Sequence, residues 1–145
     1  MSDRAGVYKV VTRLTVHGFE CDASVITSIL DVEPTSTWKA GDGVAPHAGN
    51  VCDQNGWTKD SPVTSCEATP EASVAALLAL FSDVFAFARL PHPCRVVVST
   101  TLFGAREGTR FFLSSGFVAQ LAVIGADFDL NIRDVSSEVD ANRDA

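Results

Sequence analysis

The sequence predicts a single α+β domain in which helices cover one face of a mostly antiparallel or mixed β-sheet. Two segments near the ends of the chain alternate between apolar and polar residues, which is typical of strands with one buried and one polar face. Between them, apolar residues recur at the three- and four-residue spacing of helices that bury one stripe. Strands with a single polar face favour a two-layer architecture, because helices then cover only the other face.

The chain length favours one domain followed by a tail. A chain of 145 residues buries roughly 70% of its unfolded surface, which is enough for a core without metal or disulfide support. We place the domain at residues 1–135. Residues 136–145 contain no large apolar side chain except Val139, so we expect them to form a disordered acidic tail.

The first predicted unit is a strand followed by a short helix. Residues 8–16 place apolar side chains at every second position, which indicates a strand with one buried face. Asp22 is a good N-cap for the helix that follows, and Pro34 prevents that helix from continuing. The apolar stripe of this helix consists of Val25, Ile26, Ile29 and Leu30.

The longest predicted helix begins at Thr69 and ends before Pro91. Thr69 is a suitable N-cap, Pro70 fits the first helical position, and the Glu71 carboxylate suits the positive end of the helix dipole. The prolines of Pro91-His92-Pro93 stop the helix. Its apolar stripe consists of Val74, Leu77, Leu78, Phe81, Val84 and Phe85.

Two strands and a helix complete the predicted fold. Residues 95–103 are apolar on both sides, which indicates an interior strand. Ser114 or Ser115 caps a helix that ends at Gly125, where a left-handed residue is favoured. Residues 127–133 alternate again and predict a half-exposed strand. We expect the sheet residues Val10, Leu14, Val98, Leu130 and Ile132 to pack against Leu77, Leu78, Phe81 and Phe85.

The charge pattern disfavours nucleic acid as a partner. The net charge is −7, from 11 basic and 18 acidic residues, and the basic residues are scattered, so they form no stripe that would neutralise a phosphate backbone. An acidic protein is instead steered toward cationic partners. We therefore predict that the partner is another protein, of which a basic protein is one form.

The sequence also predicts a cytoplasmic protein that does not enter a membrane. The N-terminal residues lack the apolar run of an export signal. The longest apolar run, residues 74–81, is far shorter than the ~20 residues that a membrane-spanning helix needs.

Cysteine and glycine spacing predict no metal and no cofactor. The four cysteines have neither a paired nor a zinc-type spacing, and a cytoplasmic location favours free thiols. No glycine pattern of a phosphate-binding loop stands between a strand and a helix. The cysteines are Cys21, Cys52, Cys66 and Cys94.

One polar loop, residues 42–55, combines chemically capable side chains with two flanking tryptophans. Large aromatic residues are usually core anchors, but Trp38 and Trp57 are also of the type enriched at binding hot spots. His47 has the chemistry of a general base. The loop residues able to ligate a metal are Asp42, His47, Cys52 and Asp53, but their spacing does not fix a ligand geometry, so we predict no metal here.

Short motifs are spread along nearly the whole chain. They comprise Asp22 to Leu30 followed by Val32-Glu33-Pro34-Thr35, then Trp38 and Gly41, Gly56-Trp57, the long helix, and Ile124-Gly125-Ala126-Asp127-Phe128-Asp129-Leu130. Together they resemble the bacterial domain of unknown function 4279 family. The resemblance implies a bacterial, cytosolic, stand-alone α+β domain and brings no established activity or catalytic residues. This chain departs from the family pattern by a longer loop at residues 42–55.

We interpret the protein as a non-enzymatic partner-binding protein. His17 and Glu20 follow the first strand but lack an accompanying nucleophile in a recognisable turn. One concrete form is an immunity or antitoxin protein whose acidic surface covers the basic active site of a toxin. The alternative is a small-ligand sensor or small enzyme that uses the 42–55 loop. The candidate binding residues are Trp38, Asp42, His47, Asp53, Trp57, Asp127 and Asp129.

Overall fold

The computed structural model describes residues 9–42, 54–63, 69–104 and 112–133. In chain order they form β1 (Lys9–His17), α1 (Ala23–Leu30), β2 (Ser36–Trp38), β3 (Gly56–Asp60), α2 (Pro70–Leu78), a 3₁₀ helix (Val84–Arg89), β4 (Arg95–Phe103), α3 (Ser115–Val123) and β5 (Ala126–Arg133). Outside the described residues lie Cys52, Cys66, the predicted site residues His47 and Asp53, and the predicted tail, residues 136–145.

The five strands form one mixed sheet in the order β2-β3-β1-β4-β5. The pairings of β2 with β3, β3 with β1, and β1 with β4 are antiparallel. β5 returns through α3 and pairs parallel with β4, as a helical crossover allows. This arrangement confirms the predicted α+β class, and it confirms that β4 is an interior strand.

The core lies between the sheet and a single helical layer. Alternate residues of β1 and β4 face the helices, with Leu14 opposite Val98 and Val16 opposite Val96. Thr12 and Thr100 lie in the same buried rows, and their hydroxyls share a hydrogen bond of 2.9 Å, which satisfies both groups. Buried apolar residues of all three α-helices and of the 3₁₀ helix belong to this one cluster.

The predicted helix starts are confirmed, because each cap is a local hydrogen bond. The Asp22 carboxylate accepts from the Ser24 N–H at 3.1 Å at the start of α1. The Thr69 hydroxyl accepts from Ala72 N–H at 3.0 Å for α2, and the Ser114 hydroxyl accepts from Phe117 N–H at 3.1 Å for α3. Gly125, after α3, has the predicted left-handed backbone, with φ +67°.

The prediction of one long helix from Thr69 to Pro91 was wrong. α2 ends at Leu78, and a separate 3₁₀ helix follows, with the Asp83 carboxylate accepting from its second residue, Phe85, at 3.0 Å. The break lets Phe87 turn into the core, where the centroid of its ring lies 5.2 Å from the centroid of the Phe81 ring. Phe85, predicted to be buried, is turned outward and is 68% exposed.

Two further residues were wrongly expected in the core. Leu130 is only half-buried, and Ile132 is 59% exposed. The reason is the length of α3: nine residues of helix extend about 14 Å, whereas the eight residues of β5 extend about 26 Å. α3 covers the start of the strand, where Phe117 meets Phe128 edge-on at 5.3 Å, and leaves its end uncovered.

Side-chain hydrogen bonds connect α2 to the elements beside it. The buried Ser61 hydroxyl, after β3, donates to the Ser73 carbonyl at 2.7 Å, and the Ser73 hydroxyl donates to the Val63 carbonyl at 3.1 Å. The Glu71 carboxylate accepts from the Ser114 N–H at 2.8 Å and from its hydroxyl at 3.2 Å, so it holds the start of α3.

Among the helices of the described segments, none is long and apolar enough to cross a membrane.

The packing at the end of α2 predicts a contrast between Leu77, within the helix, and Leu80, two residues after its last residue. Leu77→Ala should lower the free energy of unfolding by about 2–5 kcal/mol, because the side chain is fully buried and its removal leaves a cavity. Leu80→Ala, at a site 39% exposed, should cost less than about 1 kcal/mol. Urea denaturation of both variants measures the difference, and equal losses would contradict this orientation of the helix.

Candidate functional site

The face of the sheet opposite the helices, here called the open face, carries no helix among the residues that the structure describes. Strand register and the alternation of side chains assign its residues. They are Ser36, Trp38, Thr58 and Asp60 of β2 and β3, Lys9, Val11, Arg13, Thr15 and His17 of β1, Arg95, Val97, Ser99, Thr101 and Phe103 of β4, and Asp127, Asp129, Asn131 and Arg133 of β5.

Two ion pairs cross the open face. Arg13 Nε donates to Asp60 Oδ1 at 2.6 Å, and this hydrogen bond raises the pKa of Arg13. Arg95 donates to Asp127 Oδ2 at 2.8–2.9 Å. Both pairs are well exposed, so each contributes little to stability. Within each pair, the arginine and the aspartate neutralise each other's charge. Most of the open face is therefore not acidic.

Trp38 and Phe103 are the aromatic residues that the described strands place on this face, at opposite sides of β1. β2 pairs with β3 so that Trp38 lies directly opposite Gly56. Any side chain at Gly56 would overlap the Trp38 ring, because a Cβ there falls on three of the ring carbons. The ring therefore packs on bare backbone and stays half-buried. Glycine at this position is required by close approach and not by an unusual backbone angle.

Asn55 joins the loops around Trp38. Its Oδ1 accepts from the Ala40 N–H at 2.8 Å, and its Nδ2 donates to the Phe19 carbonyl at 2.8 Å. The Asn55 carbonyl accepts from Gly18 N–H at 3.1 Å, where the chain turns with φ +88°. One amide side chain thus holds the β1–α1 connection against the segment that follows β2.

These contacts enclose a groove of about 240 Å³ beside Trp38, here called the Trp38 groove. Glu20 and Asp22 supply two acidic groups, and Lys39 supplies one basic group. Hydrogen bonds from the Ser24 hydroxyl and N–H lower the pKa of Asp22, so its carboxylate is charged at neutral pH. The lining residues are Phe19, Glu20, Cys21, Asp22, Ala23, Trp38, Lys39 and Asn55.

The two tryptophans lie on opposite faces of the sheet. Trp57 is fully buried beneath α1, and its Nε1 donates to the Thr27 hydroxyl at 2.9 Å. It has the core role that is usual for large aromatic residues. The sequence suggested only a polar loop between the tryptophans, whereas both belong to paired strands. Ser36–Trp38 and Gly56–Asp60 are too short to show a clear alternating pattern.

The other predicted binding residues of the described segments are spread out. The Asp42 carboxylate accepts from the Lys39 N–H at 2.8 Å and closes the turn after β2. Asp127 and Asp129 lie on β5, at the opposite edge of the sheet from Trp38. Four strand spacings, about 19 Å, separate the two edges. The structure therefore brings Trp38 together with Glu20, Asp22 and Asn55, which the sequence analysis did not select.

The described segments contain the cysteines Cys21 and Cys94 and the histidines His17 and His92, and Cys94 and His92 line one groove of about 350 Å³. Burial raises the pKa of Cys94, and the nearby Cys21 raises it further by a smaller amount. A raised pKa lowers the fraction of thiolate, and therefore the nucleophilicity, at neutral pH. His17 Nδ1 shares a hydrogen bond of 2.7 Å with Gln54 Oε1. Across residues 9–42, 54–63, 69–104 and 112–133, no three His, Cys, Asp or Glu residues are grouped so that they could hold a metal.

Another groove, of about 350 Å³, lies on the outer side of the helical layer. It contains the exposed Phe85 ring and no charged residue. Its lining residues are Ala75, Leu78, Ala79, Val84, Phe85, Gln120 and Val123.

Comparison with known proteins identifies a family. Residues 8–135 match the family described as Domain of unknown function (DUF4279), which confirms the resemblance carried by the sequence motifs. No curated protein and no solved structure matches the chain.

The contact between Trp38 and Gly56 predicts a coupled pair of substitutions. Gly56→Ala should lower the free energy of unfolding by about 1–3 kcal/mol, because the added methyl group overlaps the ring. In a Trp38→Ala background, the same substitution should cost less by at least about 0.5 kcal/mol. A double-mutant cycle by urea denaturation measures this coupling. Strictly additive losses would show that the ring does not lie on Gly56.

The Asp22 cap predicts a pH-dependent contribution to stability. Its pKa is lower in the folded chain, so its contribution is present above the unfolded pKa of about 3.9 and is lost as the pH falls through the folded value. Asp22→Ala should therefore be less stable than the wild type at pH 7, with a gap that closes on acidification. Asp22→Asn is the control, since asparagine caps equally well without titrating. Urea midpoints across pH test this, and a gap independent of pH would contradict it.

Proposed function

We propose that this protein, which belongs to the family described as domain of unknown function 4279, is a non-enzymatic partner-binding protein that recognises another protein through Trp38 and the groove beside it. The observation that carries the proposal is the position of Trp38, packed on the bare backbone of Gly56 at one edge of the open face. Tryptophan is among the residue types that most often dominate binding free energies at interfaces.

The surroundings of Trp38 hold it ready for a partner. Its ring rests on Gly56, and the Asn55 side chain fixes the neighbouring connections through hydrogen bonds of 2.8 Å to Ala40 and Phe19. A side chain that is ordered before binding loses less conformational entropy when the complex forms. Trp57, by contrast, is fully buried and supports the site from the core side.

The charges at the Trp38 groove favour a basic partner. Glu20 and Asp22 outnumber Lys39 along its rim, and the whole chain has a net charge of −7. Complementary charge accelerates encounter and rejects unsuitable partners more than it adds affinity. An immunity or antitoxin protein that neutralises a basic toxin is the specific form of the proposal that fits this combination of a tryptophan anchor and an acidic rim.

The groove itself is small for a ligand site. Its volume of about 240 Å³ lies below the roughly 300–1,000 Å³ of common small-molecule pockets. Its one thiol, Cys21, has no histidine among the groove's lining residues to serve as a base. These features favour a surface that contacts a macromolecule. The alternative is a ligand sensor or small enzyme at the 42–55 loop, and substitutions in that loop distinguish it from partner binding.

Removal of the Trp38 ring should weaken the complex with the partner that copurifies from native lysate. Trp38→Ala should lower the binding free energy by about 2 kcal/mol or more, as is typical of an aromatic hot spot. Phe85→Ala is the matched control, because that ring is 68% exposed but lies on the helical side. Biolayer interferometry measures affinity, and thermal melts verify folding. Equal effects at the two rings would contradict the proposed surface.

Further variants in the same assay distinguish a partner-binding protein from a ligand sensor or small enzyme. Glu20→Lys should mainly slow association, and Asp129→Lys, with the same change in net charge at the far edge of the sheet, should do so less. Asp42→Ala, His47→Ala and Asp53→Ala should leave the complex nearly intact. Strong losses confined to these three loop variants would instead favour the sensor or enzyme.

A further inference from the structure

Among the described strands, β5 has a partner on one side only, and its outer edge presents backbone groups that none of these strands pairs. β5 is the last strand in the sheet order, and within the described segments no strand pairs with its outer side. Its eight residues, Ala126–Arg133, contain no proline and no lysine, which are common means of protecting an exposed edge. An edge of this length is a template for another strand.

The orientation of the backbone identifies which groups are free. The Arg133 carbonyl accepts from the Gly104 N–H at 2.8 Å, so the backbone groups of Arg133 are directed toward β4. Successive residues of a strand direct these groups to opposite sides. Every second residue counting back from Ile132 therefore directs its N–H and carbonyl away from the sheet. These residues are Ala126, Phe128, Leu130 and Ile132.

We propose that two copies of the chain pair antiparallel through β5, about a two-fold axis at Leu130, and form one continuous ten-stranded sheet. In this register Leu130 lies opposite Leu130 of the second copy, and Phe128 lies opposite Ile132. All of these residues direct their backbone groups outward, so each opposed pair exchanges two N–H to carbonyl hydrogen bonds. A two-fold axis makes each contact occur twice.

Charge complementarity and the length of the paired segment together favour this register. Around Leu130, Asp127 of one copy lies opposite Arg133 of the other, and Asp129 lies opposite Asn131. Opposite charges directly across an antiparallel pair are stabilising, and like charges are destabilising. An axis at Asp129 would oppose two Asp129 carboxylates. An axis at Asn131 would place Asp129 opposite Arg133, but it would pair only residues 129–133 of the strand, whereas the axis at Leu130 pairs residues 127–133.

The apolar side of β5 also fits a second copy. Ile132 lies on the helix-facing side, opposite the buried Leu102. It is nevertheless 59% exposed, because α3 is too short to cover this end of β5. Pairing about Leu130 would place Phe128 of the second copy against Ile132 and remove it from water. This interface lies at the opposite edge of the sheet from Trp38, so it is independent of the proposed partner site.

Sedimentation velocity on the full chain tests the proposal. The expected result is a reversible dimer with a dissociation constant of about 1–100 µM, since a single edge pairing buries a small interface. Ile132→Asp should abolish the dimer and leave the thermal melt nearly unchanged, because the side chain is already exposed in the monomer. A chain that is monomeric at several hundred micromolar, or a dimer indifferent to Ile132→Asp, would overturn it.

Substitutions at Asn131 test the register. Asn131→Lys should tighten the dimer, because it places a cation opposite each Asp129, and Asn131→Asp should weaken it by opposing two carboxylates, each by about two- to tenfold in the dissociation constant. The position is exposed, so both variants should fold. Weakening by both substitutions would point to an axis at Asn131 and would overturn the register centred on Leu130.

Discussion

The pairing of β1 with β4 is the interaction on which the rest of the structure depends. Nine residues of each strand oppose one another, from Lys9 with Phe103 to His17 with Arg95. The pairing aligns the buried positions of the two strands side by side, so that they form one continuous apolar surface. α2 packs on this surface, while α1 packs beside it on β3 and the 3₁₀ helix, and α3 packs on β5. The other strands extend the surface at its two sides. A shift by one residue would turn every buried side chain to the opposite face.

One-sided packing explains why two nearby tryptophans have different roles. In the pairing of β2 with β3, Thr37 opposes Trp57 and Trp38 opposes Gly56. Neighbouring positions of a strand face opposite sides, so Trp57 reaches the core while Trp38 lies on the open face. The two sheet edges then differ in chemistry: the short β2 edge bears an aromatic ring beside an acidic groove, and the long β5 edge bears polar or charged residues at every second position. A partner at the first edge and a second copy at the other would not compete.

Only part of the candidate site could be predicted from the sequence. Trp38 was selected because tryptophan is rare and favoured at interfaces, and that reasoning needs no coordinates. Asn55 could not be selected, because the Phe19 carbonyl that it bonds is 36 residues away in the chain. Glu20 and Asp22 are ordinary acidic residues in the sequence. They line the Trp38 groove only because the connection between β1 and α1 folds beside β2.

The sequence by itself determined the features that depend on near neighbours. The helix caps at Asp22, Thr69 and Ser114 are hydrogen bonds spanning two or three residues, so a local pattern is enough to predict them. Only the tertiary structure decided which apolar side chains are covered. Phe85 and Ile132 satisfy the apolar periodicity but are exposed, since one lies past a helix break and the other past the end of α3. Periodicity defines a face of an element, whereas burial requires another element of sufficient length to pack on that face.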